Sequence, residues 1–121
     1  MTLLTTHTGR RRPPVKASLP GARAQALRRL EREHVALLLA ISELEAGARG
    51  TESPELRAAL LPLLRTDLVR AQYALRRAAA GQYGMCDHCG RSVAARQLEL
   101  NPATTRCPVC SAHARRGPGV A

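Results

Sequence analysis

All four cysteines of the chain fall in its last third, as Cys86-x2-Cys89 and Cys107-x2-Cys110 with 17 residues between the pairs. No other feature constrains the local fold as tightly, because two CxxC turns at that separation form the pattern of a four-thiolate zinc site. Each turn aims two sulfurs at one point, and Zn²⁺ takes four of them at about 2.3 Å in a tetrahedron. Gly90, directly after the first pair, suits the positive-φ turn such a knuckle needs. Pro108 stiffens the second knuckle from inside. The rival reading, a pair of disulfides, requires an oxidising compartment, and nothing in the sequence indicates export. A redox CxxC stands singly beside a βαβ pattern, which is absent here. The expectation is therefore one structural Zn²⁺ held by Cys86, Cys89, Cys107 and Cys110. Four protein thiolates leave no open position for water or substrate, so the spacing argues against a catalytic metal. Such an ion folds a segment too small to bury a core of its own.

Upstream the pattern is helical. Leu27, Leu30, His34, Leu37, Ile41 and Leu44 repeat at 3-4-3-4-3 spacing, the seam of a coiled coil. Val35 and Leu38 widen that stripe. The pairs Arg28–Glu31 and Arg29–Glu33 sit at i,i+3 and i,i+4, where opposite charges support a helix. His34 interrupts an apolar seam, and a packed ring with its polar edge reaching solvent is the expected arrangement. Gly47 and Gly50 end the first helix by supplying a left-handed residue. Ser53-Pro54-Glu55 then reads as an N-cap, a proline at the first helical position and an acid in the first turn. Leu56, Leu60, Leu61, Leu64, Leu68, Ala71, Leu75 and Ala78 line the second helix, with Pro62 inside it predicting a kink or a restart. Two helices of about 25 residues, each about 37 Å long, joined by a short loop, can bury their stripes only against each other.

The predicted fold class is mainly α, an antiparallel two-helix coiled-coil hairpin with a small C-terminal four-cysteine zinc finger. Residues 1–21 form a flexible basic tail, 22–80 the hairpin with its tip at about 48–54, 81–116 the finger and 117–121 a second flexible tail. Within the finger, Tyr83 packs between the helix end and the zinc loop. Arg96–Asn101 reads as a short strand or turn with Leu98 buried, and Ser111–Arg116 as a short helix. His88 and His113 flank the cysteines and are expected either to pack behind the ligands or to lie on the surface.

The chain has 121 residues, no Trp or Phe and only two tyrosines, Tyr73 and Tyr83, so a large globular core is excluded. The formal net charge is +10, carried by arginine with Lys16 as the single lysine. Four thiolates around one Zn²⁺ lower it by two. That balance favours acidic partners, nucleic acid or an acidic protein surface, although solvated arginines on helix faces account for part of it. Arg10, Arg11 and Arg12 belong to a tail expected to be solvated and to make no specific contact, with phosphate contact as the alternative reading. No apolar run reaches the length that spans a bilayer. The N-terminus lacks the apolar stretch of a signal peptide, and Pro13, Pro14, Pro20 and Gly21 argue against an amphipathic transit helix. A cytoplasmic location and a monomeric state are expected. No catalytic constellation and no Gly-rich phosphate loop is present, so the expectation is not an enzyme.

Gly81, Tyr83, Gly84, Cys86, Cys89, Gly90, Arg96, Leu98, Pro102, Cys107 and Cys110 follow one another as in the C-terminal zinc finger of the DksA/TraR family. The segment closely resembles that finger over about thirty residues, and the predicted hairpin agrees with the family's architecture. The resemblance implies a transcription regulator that binds bacterial RNA polymerase. It inserts its hairpin into the secondary channel and carries acids at the tip close to the active-site Mg²⁺, often with the alarmone ppGpp as co-effector. The family's Asp-x-x-Asp-x-Ala tip is not reproduced. Glu52 and Glu55 supply an acid pair at the same spacing, each one methylene longer, followed by Leu56 and Arg57. The basic residue that ppGpp-responsive members carry just past the last cysteine is Ser111 here. Two other readings stay open: a small basic zinc protein that binds nucleic acid, and a structural hairpin module that pairs with a partner helix through Leu38 and its neighbours.

Overall fold

A computed structural model describes residues 21–47 and 53–116. Four helices follow in order: α1 (Gly21–Ala46), α2 (Pro54–Ala79), α3 (Ala95–Leu100) and α4 (Pro108–Arg116). Among the described residues there is no strand, only an isolated antiparallel bridge between Met85 and Ser92. The expected N-terminal tail lies outside the described residues except for Gly21, which opens α1. Residues 48–52 of the tip and the 117–121 tail also lie outside them.

Both long helices have 26 residues, about 39 Å at 1.5 Å per residue, and they pack against each other. α1 ends where Gly47 takes a φ of 65° and its N–H reaches the Leu44 carbonyl at 3.2 Å, the left-handed stop that glycine makes inexpensive. α2 starts on Ser53, whose Oγ accepts from the Leu56 N–H at 3.0 Å, with Pro54 at the first position and Glu55 in the first turn. Arg76 and Arg77 occupy its last turn, where positive charge complements the helix dipole. α2 passes through Pro62 unbroken, so of the kink or restart expected there the restart does not occur. Pro62 and Ala58 are both exposed. The carbonyl that loses its partner to the ring therefore faces water, which lowers the cost of the proline.

The seam holds as read at Leu27, Leu30 and Ile41, which are buried, with Leu37 and Leu44 half-buried. Two expectations change. Val35 and Leu38 are 53% and 42% exposed, so the stripe is a narrow seam, as two helices without a third partner require. The His34 Nε2 is buried and makes no hydrogen bond, so that nitrogen does not reach solvent. Ala26 and Ala74 are also buried, within the cluster at the base of the hairpin.

Packing is densest at the base of the hairpin. Ala26, Leu27 and Leu30 of α1, with Ala71 and Ala74 of α2, form one buried cluster with Tyr83, Cys86, Val93, Leu98, Cys107 and Cys110. The finger thus shares its core with the hairpin. Toward the tip, α2 contributes only half-buried leucines such as Leu60, Leu64 and Leu68.

Candidate metal centre and its attachment to the hairpin

Cys86, Cys89, Cys107 and Cys110 come together as the spacing predicted. Their sulfurs all lie within 4.8 Å of one another, and the Cys89 and Cys107 sulfurs are 3.8 Å apart. A tetrahedron with metal–sulfur bonds of about 2.3 Å has edges of about 3.8 Å, whereas a disulfide brings sulfurs to about 2.05 Å. All four cysteines are free. The set therefore has the size of a ZnS₄ site and not that of two bridges.

The knuckles are built by the backbone. Gly90 takes a φ of 78°, which turns the chain after Cys89 and lets the Gly90 N–H reach the Cys86 carbonyl at 3.0 Å. The His88 and Cys89 N–H groups point at the Cys86 sulfur at 3.4 and 3.5 Å. The Cys110 N–H meets the Cys107 sulfur at 3.5 Å. N–H groups aimed at sulfur favour thiolate. Burial pushes the Cys86 thiol up, but backbone N–H groups of Cys89, Cys107 and His88 outweigh it and bring the group to about 6. Burial and the three neighbouring thiols push Cys110 up to about 12. Four thiols this close cannot all ionise alone, and a divalent cation in their midst is what lets them. His88 and His113 are exposed.

Pro108 opens α4, so the second knuckle runs directly into that helix. The segment expected as a strand or turn at Arg96–Asn101 is instead α3, with Leu98 completely buried beneath it. Six residues show less than two turns of periodicity, too little to tell a helix from a turn by pattern. Tyr83 is buried between hairpin and finger as expected, and its hydroxyl donates to the Pro102 carbonyl at 2.9 Å. Burial, with Glu33 nearby, pushes that phenol up to about 12.

Polar staples that sequence reasoning did not find hold the finger to the helices. Asp87, inside the first knuckle, accepts from Arg106 at 3.0 Å and from the Tyr73 hydroxyl of α2 at 2.9 Å. Burial pushes Asp87 up, yet these donors and the Arg77 charge hold it below the usual carboxylate range. Its N–H also bonds the Thr105 carbonyl at 2.7 Å, joining one knuckle to the approach of the other. From α1, Arg23 donates to the Gly84 and Val93 carbonyls at 3.1 and 2.7 Å, and Arg29 to the Glu99 carbonyl at 2.6 Å. Arg77 of α2 reaches the Met85 carbonyl at 3.0 Å. Nothing in a sequence separates a clamping arginine from a solvated one.

Of the two tip acids, Glu55 is exposed in the first turn of α2, and Glu52 lies outside the described residues. A cleft of about 430 Å³ opens where α1, α2 and the segment after α3 meet, with Glu33, Asp67, Arg70 and Asn101 around an alanine and leucine floor. No described helix is long and apolar enough to cross a membrane.

No family model and no curated protein matches the sequence. Among solved structures the chain is similar to that of the transcription factor DksA2 from Pseudomonas aeruginosa. The match has 22% identity and a TM-score of 0.61, and it covers 84% of this chain and 93% of that one. The two share a fold over nearly their whole lengths. At this identity the likeness shows the fold, and the four-cysteine cluster is an observation on this chain beside it.

Proposed function

We propose that this protein is a zinc-containing transcription regulator of the DksA/TraR family that binds RNA polymerase and modulates initiation by inserting its helical hairpin into the secondary channel. The observation that carries the reading is the joint presence of a DksA-type fold and a thiol cluster of ZnS₄ dimensions. Cys86, Cys89, Cys107 and Cys110 hold one structural Zn²⁺, which supplies folding energy and no chemistry. Glu52 and Glu55 are the acids presented at the tip. Glu55 stands 24 residues before the end of α2, about 36 Å along the helix, so an acid there is carried far from the finger. A carboxylate at that distance adds negative charge close to a catalytic Mg²⁺. The protein acts in the cytoplasm as a non-catalytic monomer.

Capture of the cognate core polymerase, together with a transcription assay, tests this for wild type and for Glu52→Ala/Glu55→Ala. The expected result is capture by both proteins and altered initiation with wild type alone. Capture by neither overturns the reading. Equal effects from both proteins remove the tip acids from it.

A further inference from the structure

Most of the described arginines fall into two groups; Arg57, half-buried with its Nε unpartnered, belongs to neither. Arg23, Arg29, Arg65, Arg77 and Arg106 are tied to carbonyl, carboxylate or amide oxygens, and Arg76 lies over the Tyr73 ring at 5.8 Å. Arg28, Arg32, Arg70, Arg91 and Arg96 are exposed, and no hydrogen bond or ion pair ties them within the described residues.

Two of the untied residues, Arg28 and Arg32, stand one turn apart on α1 and converge with Arg29 on a niche of about 350 Å³ shared with Gln25 and Glu99. Arg29 is held at its edge by Glu33 and the Glu99 carbonyl. The niche lining carries three guanidinium groups, that of Arg29 already paired with Glu33, against the one carboxylate of Glu99. Arg96 lies one turn from Glu99 on α3, on the same side of that helix.

We propose that this face of α1 binds the phosphate backbone of nucleic acid through Arg28 and Arg32, with Arg29 as a fixed flank. Small phosphate ligands are held by enclosing pockets, whereas these arginines are exposed. Exposed positive charge grips a polyanion through summed attraction and counter-ion release. The contact is to phosphates and not to base edges, so it carries no sequence preference. It needs no polymerase and stands apart from the function proposed above.

Fluorescence anisotropy of a short labelled DNA duplex, with the full-length zinc-loaded protein across a series of salt concentrations, tests the site. Arg28→Ala/Arg32→Ala is compared with Arg70→Ala/Arg91→Ala, which removes the same charge from elsewhere. The first variant is expected to weaken binding about tenfold at low salt and to flatten the slope of log K against log salt by about 1 per arginine. The second is expected to match wild type. All four positions are exposed, and circular dichroism checks that both variants fold. Equal losses in the two variants mean diffuse attraction and overturn the proposal. Undiminished binding by Arg28→Ala/Arg32→Ala also overturns it and moves the contact elsewhere on the chain.

Discussion

The Arg23 guanidinium lies in the space that a side chain on Gly84 would occupy, and it donates to the Gly84 carbonyl at 3.1 Å across 61 positions of sequence. A Cβ on Gly84 would stand 2.6 Å from the Arg23 Nη1, and the φ of 83° is one that L side chains rarely adopt. Absence of a side chain at one residue thus makes room for the contact of the other.

Gly84→Ala is expected to destabilise the protein by more than about 1 kcal/mol, through backbone strain and displacement of the clamp. That corresponds to about 4–8 °C in Tm for each kcal/mol in a small domain. Arg23→Ala leaves the Val93 carbonyl without its donor, while the Gly84 carbonyl keeps the Val93 N–H at 2.7 Å. Since both changes break one contact, the double variant should lose less than the sum, which a thermal-denaturation cycle measures.

Removal of the metal with a strong chelator should release one Zn²⁺ per chain and abolish the ordered finger. Structural zinc sites contribute about 10–16 kcal/mol of apparent binding energy at pH 7. Because Cys86, Cys107 and Cys110 belong to the same buried cluster as Leu27, Leu30 and Ala74, the base of the hairpin should loosen with it. Hydrogen exchange should then rise in both helices next to the finger. Cys107→Ser should have the same effect without chelator.

Tyr83→Phe strips the buried Pro102 carbonyl of its donor, at a cost of about 1–3 kcal/mol. In the folded protein the Tyr83 phenol titrates at about 12, above the unfolded value of about 10. The neutral phenol is thus the form that folding favours. Its contribution is complete below about pH 10 and is lost as pH rises through about 12. Denaturation followed over alkaline pH should show that loss in wild type and less of it in Tyr83→Phe.

Pro62→Ala should raise stability. The residue is exposed inside a continuous helix, and alanine restores the missing N–H where proline is disfavoured by about 3 kcal/mol in a helix interior. Unfolding of the purified variant should shift to higher temperature. No shift, or a downward one, would show that the ring serves the packing of α2.

The hairpin was legible because its signals repeat. Leu27, Leu30, Leu37 and Ile41 recur at helical spacing, and Ser53 and Pro54 mark a start by local chemistry that needs no tertiary context. The thiol cluster was legible because CxxC spacing is itself a geometric constraint. Ala26 and Ala74 escaped notice because alanine carries little hydrophobic signal. Asp87, Arg106 and Tyr73 were missed for a different reason. Each is an ordinary polar residue until the two knuckles fold and bring Arg106 beside Asp87. Glu52 lies outside the described residues, so the second acid of the tip rests on sequence alone.

The clamps from α1 also set an order of events during synthesis. Arg23 is made 61 residues before Gly84 and 70 before Val93. At about 5–20 residues per second on the ribosome, the start of α1 waits about 3–12 s for the first of its acceptors to be polymerised. For that interval its buried face has nothing from the finger to close on, and α2 offers cover only as residues 54–79 are added. A truncated chain that begins after Arg23 would never complete the finger's polar attachments, however much zinc it is given.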